Sequence, residues 1–252
     1  MLERIKYRMA SYELCALAVV AFLVDHVGYY FYTEQLWFRV LRLFALVWFF
    51  PAGYNSAWRS NWRVWAGIGI LTVMDAALYS DFWPICAVAS LVAARMLVDP
   101  LMDFSLKGAG RFWAVQAVLA LLILPTGEFL EYGTLALLIA NAGWLLRHRD
   151  RLPPGIVSLP HYFVFVTALY IAFSQYTFGF DALQFGFVVL STAATAWLMY
   201  HFDALIREDL RRKRAERDDL VRRICRTLAR RSLEIYVGHL MLFKLMLMIA
   251  NR

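Results

Sequence analysis

The sequence predicts an all-α fold, a polytopic membrane bundle of about nine transmembrane helices that forms one domain over residues 1–252. Hydrophobic residues make up 62% of the 252 positions, whereas soluble domains contain about 45–50% apolar residues. The apolar residues are concentrated in long runs, and open β-structure cannot satisfy its backbone hydrogen bonds in lipid. No polar stretch is long enough to form a separate soluble domain.

Nine apolar segments follow one another along the chain. Several of them approach the roughly 20 residues that a helix needs to cross a bilayer. Pro84, Asp99 and Pro125 crowd the ends of the fourth and fifth segments. The segments cover about 12–32, 36–55, 64–80, 82–98, 112–125, 128–146, 160–178, 182–202 and 232–250.

Basic residues occupy alternate connections between these segments, and the other connections contain none. Cytoplasmic loops of membrane proteins carry an excess of Lys and Arg. The N-terminus is therefore predicted to be cytoplasmic and the C-terminus to lie outside, since an even number of spans would break the alternation. The basic residues are Arg4, Lys6 and Arg8, then Arg59 and Arg63, then Arg95, Lys107 and Arg111, then Arg147, Arg149 and Arg151, and finally eleven within 207–231.

The longest polar segment, 203–231, is predicted to be a basic cytoplasmic helix between the eighth and ninth spans. It contains eleven basic and six acidic residues. Acidic residues precede basic ones at helical spacing, as in Glu208–Arg212 and Asp218–Arg222, and such pairs stabilise helices. We expect this helix to lie near anionic lipid headgroups, and we expect no nucleic-acid partner.

Ionisable residues lie inside the first two apolar segments: Asp25 and His26 in the first, Arg39 and Arg42 in the second. A charged group at the centre of a bilayer costs about 2.5–3.5 kcal/mol on insertion scales, so intramembrane ionisable residues are candidates for a functional site. Helix rise places Asp25 about 12 Å below the turn between the segments. Arg42 is predicted at a similar depth, in a buried ion pair with Asp25.

His26 is the candidate general base of this group. An imidazole titrates near neutral pH and can deprotonate an amine or a hydroxyl. Asp25 would orient or charge-balance it, and Arg39 and Arg42 would bind a donor or stabilise an oxyanion. Tyr29 shares the helix face of His26. Alternatively, the Asp–Arg pair only clamps two helices and His26 is a bystander that forms a hydrogen bond.

The ninth segment contributes His239, which shares a helix face with Tyr236, three residues before it. A lone intramembrane histidine can also simply bond a carbonyl of a neighbouring helix. The sequence contains no Gly-rich phosphate loop, no His-Glu-x-x-His and no Gly-x-Ser-x-Gly. A serine hydrolase and a zinc peptidase are therefore unsupported, and no metal site is predicted.

Three motifs near the start of the chain and one near its end resemble a known family. The first three are Asp25-His26-Val27-Gly28-Tyr29, then 38–43, then Pro51-Ala52-Gly53-Tyr54. They are similar to the start of the TraX family, which comprises conjugative pilin acetylation proteins and their relatives. The closing motif, 232–239, looks like the last helix of TraX and of the wider acyltransferase-3 group. The resemblance covers about a quarter of the chain.

The resemblance implies a multi-pass acetyltransferase of the bacterial inner membrane. The donor would be acetyl-CoA from the cytoplasm, and the acceptor an amine or hydroxyl in the envelope, such as a pilin N-terminus or a surface glycan. Asp25, His26, Arg39, Arg42 and His239 become the site. The chain departs from the family pattern in two places. Leu41 stands where TraX-like sequences often have Gly, and Cys15 stands where the acyltransferase-3 pattern has an Arg.

Two other functions are compatible with the same residues. A proton-coupled transporter could use Asp25 and His26 as a proton relay. A structural subunit of a larger membrane complex could use them to hold helices together. The acceptor of an acyltransferase is also open between a protein N-terminus, a sugar hydroxyl and a lipid.

The alternation of basic connections generates a topology prediction. We expect a reporter fused after Arg151 to signal an inside location and one fused after Arg252 an outside location, because an odd number of spans separates them. Paired fusions to alkaline phosphatase and a cytoplasmic fluorescent protein measure this directly. Signals from the same side at both positions would contradict nine spans.

Overall fold

The computed structural model describes residues 12–57, 60–79, 82–206 and 220–250. Every regular element in these ranges is a helix, and their one strand-like feature is an isolated bridge between Ile85 and Leu130. The all-α prediction is confirmed. Helices suit such an apolar chain because they satisfy their backbone hydrogen bonds internally.

Each of the nine predicted apolar segments contains helix, but two are divided. The second begins as a 3₁₀ helix and continues as an α-helix, and the fifth is divided between two α-helices. The helices are α1 Tyr12–Phe31, a 3₁₀ helix Leu36–Phe44, α2 Ala45–Tyr54, α3 Trp62–Tyr79, α4 Ala87–Ser105, α5 Ala109–Leu121, α6 Ile123–Gly127, α7 Gly133–Arg147, α8 Leu159–Phe178, α9 Ala182–Tyr200, α10 Leu220–Arg230 and α11 Ser232–Ala250.

Four helical stretches within the described residues are long and apolar enough to cross a membrane: Tyr12–Phe31, Leu36–Tyr54, Ala182–Tyr200 and Ser232–Ile249. Helices α5 and α7 are shorter apolar helices. The count of nine spans and the sidedness of the termini stay predictions.

Part of the predicted basic helix 203–231, namely 207–219, lies outside the described residues, and it includes Glu208, Arg212 and Asp218 of the predicted pairs. The last part of the predicted helix is α10, which exposes Leu220, Val221 and Ile224.

The chain forms two compact units. The first, here called the central unit, is Trp48–Ala172. The second, the terminal unit, consists of the described residues within Arg8–Val47 and Phe173–Arg252.

Helix α7 is the core of the central unit, and it packs against α4, α5 and α6. Its residues Leu135, Leu138 and Leu145 are fully buried. Two glycines let α2 and α7 cross in backbone contact. A Cβ atom at Gly53 would lie 1.7 Å from the carbonyl oxygen of Ala140.

Buried polar side chains join three helices of the central unit. The amide of Asn141 on α7 donates to Gln116 Oε1 on α5 at 3.0 Å, and the Tyr162 hydroxyl on α8 donates to the same oxygen at 2.8 Å. The Tyr162 hydroxyl also lies 3.1 Å from the carbonyl oxygen of Leu138. Such bonds hold helices together where no water competes for the polar groups.

In the terminal unit, α1 packs against the 3₁₀ helix, α10 and α11, and α9 packs against the 3₁₀ helix. Val40 of the 3₁₀ helix is buried in a cluster with Phe180 and Val188. This packing brings polar residues of the 3₁₀ helix and of α11 next to α1.

The crossing of α2 and α7 generates a stability prediction. A Cβ atom at Gly143 would lie 2.0 Å from the carbonyl oxygen of Phe50, so Gly143→Ala must push the two helices apart. Overpacking of this kind costs about 1–3 kcal/mol. The matched control is Gly69→Ala in α3, where a Cβ atom meets nothing within 4 Å. We expect thermal unfolding in detergent to occur at lower temperature for Gly143→Ala only, and equal midpoints would contradict the close crossing.

Candidate functional site

Two arginines of the 3₁₀ helix lie on one line because this helix has three residues per turn, so positions three apart eclipse each other. The guanidinium carbons of Arg39 and Arg42 lie 5.0 and 5.8 Å from the centroid of the Phe178 ring. This distance allows cation–π attraction. The sequence predicts an α-helix for both arginines and gives no sign that Phe178 lies beside them.

The carboxylate of Asp25 pairs with Arg39. Arg39 Nη1 lies 2.9 Å from Asp25 Oδ1 and donates to the main-chain carbonyl of Asp25 at 3.1 Å. Both residues are buried, with 3% and 6% of their surface exposed. The sequence had instead predicted Arg42 as the partner of Asp25, and that pairing stays a prediction.

Gly28 brings the 3₁₀ helix close enough for this pair to form. A Cβ atom at Gly28 would lie 2.1 Å from the Cβ of Phe38, so a larger residue would separate the 3₁₀ helix from α1. The Phe38 ring in turn stacks on Tyr32, with centroids 5.5 Å apart. Close packing against Phe38 therefore explains the glycine in the Asp25–Tyr29 motif.

His26 and His239 meet across α1 and α11. His239 Nε2 lies 2.9 Å from His26 Nδ1, although the two residues are 213 positions apart in sequence. The other ring nitrogen of His239, Nδ1, lies 2.7 Å from the carbonyl oxygen of Ile235 in the preceding turn. The imidazole of His26 is therefore bonded to another imidazole, while the Asp25 carboxylate is paired with Arg39.

Aromatic rings enclose the two imidazoles. Phe22 stacks on His239 with centroids 5.2 Å apart, and Tyr236 lies edge-on to His26 at 5.7 Å. Phe243 packs edge-on against His239 at 5.4 Å. Tyr236 is a predicted site residue, whereas Phe22 and Phe243 are not. Each phenylalanine lies four residues from a site histidine on its own helix, and this spacing places side chains on one face.

Positive charge surrounds the histidine pair. Lys244 on α11 is 5% exposed, and its Nζ lies 5.9 Å from the centroid of the Tyr30 ring. Arg39 pairs with Asp25, the residue next to His26, and Arg42 lies against the same Phe178 ring as Arg39. Such a set of cations favours a ligand that is anionic or that develops negative charge as it reacts.

Tyr29 lies beside the arginines, whereas Tyr236, the other tyrosine of the site, contacts His26. The Tyr29 ring lies 5.1 Å from the guanidinium carbon of Arg39, and about half of the residue is exposed. It therefore marks an accessible edge of the arginine pair. Within the described residues, no group of three or more His, Cys, Asp or Glu side chains is arranged to hold a metal ion.

No protein-family model and no solved structure matches this chain. The chain is 26% identical over 140 residues to the uncharacterized protein RP591 of Rickettsia prowazekii (strain Madrid E). The match covers 54% of this chain and 55% of that protein, so the chain spans about half the length of this relative. A likeness of this extent assigns no family and no activity.

The buried ion pair generates a second stability prediction. Asp25→Asn removes the negative partner of Arg39, and breaking a buried pair costs about 3–5 kcal/mol in soluble proteins. We expect Asp25→Asn to unfold at a lower temperature in detergent, and Asp25→Asn with Arg39→Met to recover part of the loss because no uncompensated charge remains. The matched control is Glu234→Gln, an exposed carboxylate of the same unit. A double variant no more stable than Asp25→Asn alone would contradict the coupling.

Proposed function

We propose that this protein is a membrane acyltransferase of the TraX type, which transfers an acetyl group from acetyl-CoA to an amine or hydroxyl of an envelope acceptor. The observation that carries the proposal is the contact of His26 with His239 among apolar helices, within the electrostatic range of Arg39 and Arg42. A base next to cations is what attack on a thioester needs, since the attacking group loses a proton while the carbonyl oxygen gains negative charge.

In the proposed reaction, His26 takes the proton of the acceptor amine or hydroxyl as that group attacks the thioester carbonyl. Arg39 and Arg42 stabilise the oxyanion of the tetrahedral intermediate. The carbon–sulfur bond then breaks, and the imidazolium returns the proton to the leaving thiolate of CoA. The Asp25 carboxylate holds Arg39 in place, which limits the reorganisation of the guanidinium during the reaction.

We further propose that the protein lies in the bacterial inner membrane with nine spans, a cytoplasmic N-terminus and an outside C-terminus. The donor then enters from the cytoplasm and the acceptor, a pilin N-terminus or a surface glycan, from the outer side. The helix α10 supports an orientation with its basic residues at anionic headgroups, because Leu220 and Val221 are exposed beside Arg223 and Arg226.

A proton-coupled transporter is the second candidate. Its support is the same pair of hydrogen-bonded imidazoles, since bonded imidazoles can relay protons. The two functions differ in one measurable respect, because an acyltransferase releases free CoA when acceptor is present and a transporter does not.

The test of the first candidate is His26→Gln in purified protein with acetyl-CoA and an envelope extract. Gln still forms hydrogen bonds but cannot take up a proton. We expect release of free CoA to fall by about two to four orders of magnitude, the usual contribution of a general base, with unchanged thermal unfolding. The matched control is His161→Gln at the start of α8, an exposed histidine bonded to Ser158, which should leave turnover unchanged.

Two outcomes would count against the proposal. Normal turnover by folded His26→Gln would remove His26 from the mechanism. A parent protein that releases no CoA with protein, glycan or lipid acceptors would overturn the acyltransferase function and favour the transporter.

A further inference from the structure

We propose that His26 and His239 form a diad that takes up one proton, in which His239 is a positioning residue and Nε2 of His26 is the basic atom. The geometry of the diad stands independently, while its catalytic consequence rests on the proposed acyltransferase function.

The directions of two hydrogen bonds fix the tautomers. The carbonyl oxygen of Ile235 can only accept, so the His239 Nδ1 that lies 2.7 Å away carries the hydrogen. A neutral imidazole has a single N–H, so His239 Nε2 is an acceptor. The donor to it, at 2.9 Å, is Nδ1 of His26. His26 is therefore protonated on Nδ1 when neutral, and its Nε2 carries a lone pair.

The basic nitrogen is available for an acceptor group. Among the described residues, the hydrogen-bond partner of His26 is His239, and that bond uses Nδ1. The Nε2 nitrogen thus lies on the far side of the ring from His239. His26 is partly exposed, in contrast to the buried Asp25 beside it, so this nitrogen is the one that a substrate proton would reach.

The hydrogen bond between His26 and His239 can persist when His26 takes up a proton. When Nε2 of His26 takes up a proton, its Nδ1–H continues to donate to neutral His239, and this bond becomes charge-assisted. A second proton has no place in the pair, because His239 Nε2 already faces an N–H. The cations Arg39 and Arg42 of the 3₁₀ helix and Lys244 of α11 oppose a second charge, and the Asp25 carboxylate of α1 is paired with Arg39.

The partner of the base is thus a neutral imidazole, whereas hydrolase triads use a carboxylate to orient the histidine. A carboxylate partner would hold the proton on the base more strongly. A neutral partner fixes the tautomer yet lets the imidazolium return its proton to the leaving thiolate. The rings of Phe22 and Phe243, which contact His239, support the orientation on which this tautomer depends.

The experiment compares His239→Gln with His239→Met. The amide oxygen of Gln can accept from His26 Nδ1 as His239 Nε2 does, whereas Met cannot replace that acceptor. The first measurement is nitrogen-15 NMR of histidine-labelled protein in micelles without donor or acceptor, with the His26 signals assigned by their loss in His26→Gln. We expect the Nδ1–H tautomer of His26 in the parent and in His239→Gln, and a decreased share of it in His239→Met.

The second measurement is CoA release. We expect His239→Gln to keep near-parental turnover and His239→Met to lose about 10- to 100-fold in kcat, the worth of one hydrogen bond to a charged group, with an unchanged KM for acetyl-CoA. Equal loss of kcat in both variants would make His239 itself a proton carrier and overturn the positioning role.

The two proposals fail separately. An Nε2–H tautomer of His26 in the parent protein would overturn the diad whatever the activity, and this result does not depend on the folding of any His239 variant. An Nδ1–H tautomer in a parent protein that never releases CoA would keep the diad and overturn the acyltransferase function.

Discussion

The ion pair between Asp25 and Arg39 is the interaction on which the arrangement of the terminal unit depends. It joins α1 to the 3₁₀ helix in a setting with little water, where an unpaired charge is costly. It forms because Gly28 lets Phe38 approach the α1 backbone closely. The pair neutralises one arginine and fixes its direction, and the 3₁₀ geometry then brings Arg42 to the same face, against Phe178.

The last helix of the chain adds the second histidine of the site. Helix α11 packs on α1 and places His239 against His26, 213 positions away in sequence. His239 contacts the backbone carbonyl of Ile235 through Nδ1 and the imidazole of His26 through Nε2. The hydrogen bonds then run in one direction, from His26 to His239 and from His239 to the Ile235 carbonyl, and they leave the lone pair on Nε2 of His26. Because of these directions, the two histidines differ chemically although their side chains are identical.

The two units differ in the kind of polar side chain that they bury. In the central unit, the neutral side chains of Asn141 and Tyr162 both donate to Gln116 Oε1, which joins helices without a charged group. In the terminal unit, an acid, two arginines and a lysine surround a titratable pair. Among the described residues, the buried charged side chains Asp25, Arg39 and Lys244 all belong to the terminal unit. Burying charge among apolar side chains is costly, and this is the physical reason for locating the proposed chemistry there.

The sequence by itself determined the all-helical class, the approximate position of each helix and the candidate residues, because apolar runs and charges inside them are local properties. It did not determine the partners. Whether Asp25 meets Arg39, and whether His26 meets His239, depends on distances between helices that only packing sets. The 3₁₀ form of Leu36–Phe44 was not predicted either, because the apolar pattern of these residues is also compatible with an α-helix. Tertiary structure decided which nitrogen of His26 is basic, because the direction of that hydrogen bond depends on a carbonyl of α11.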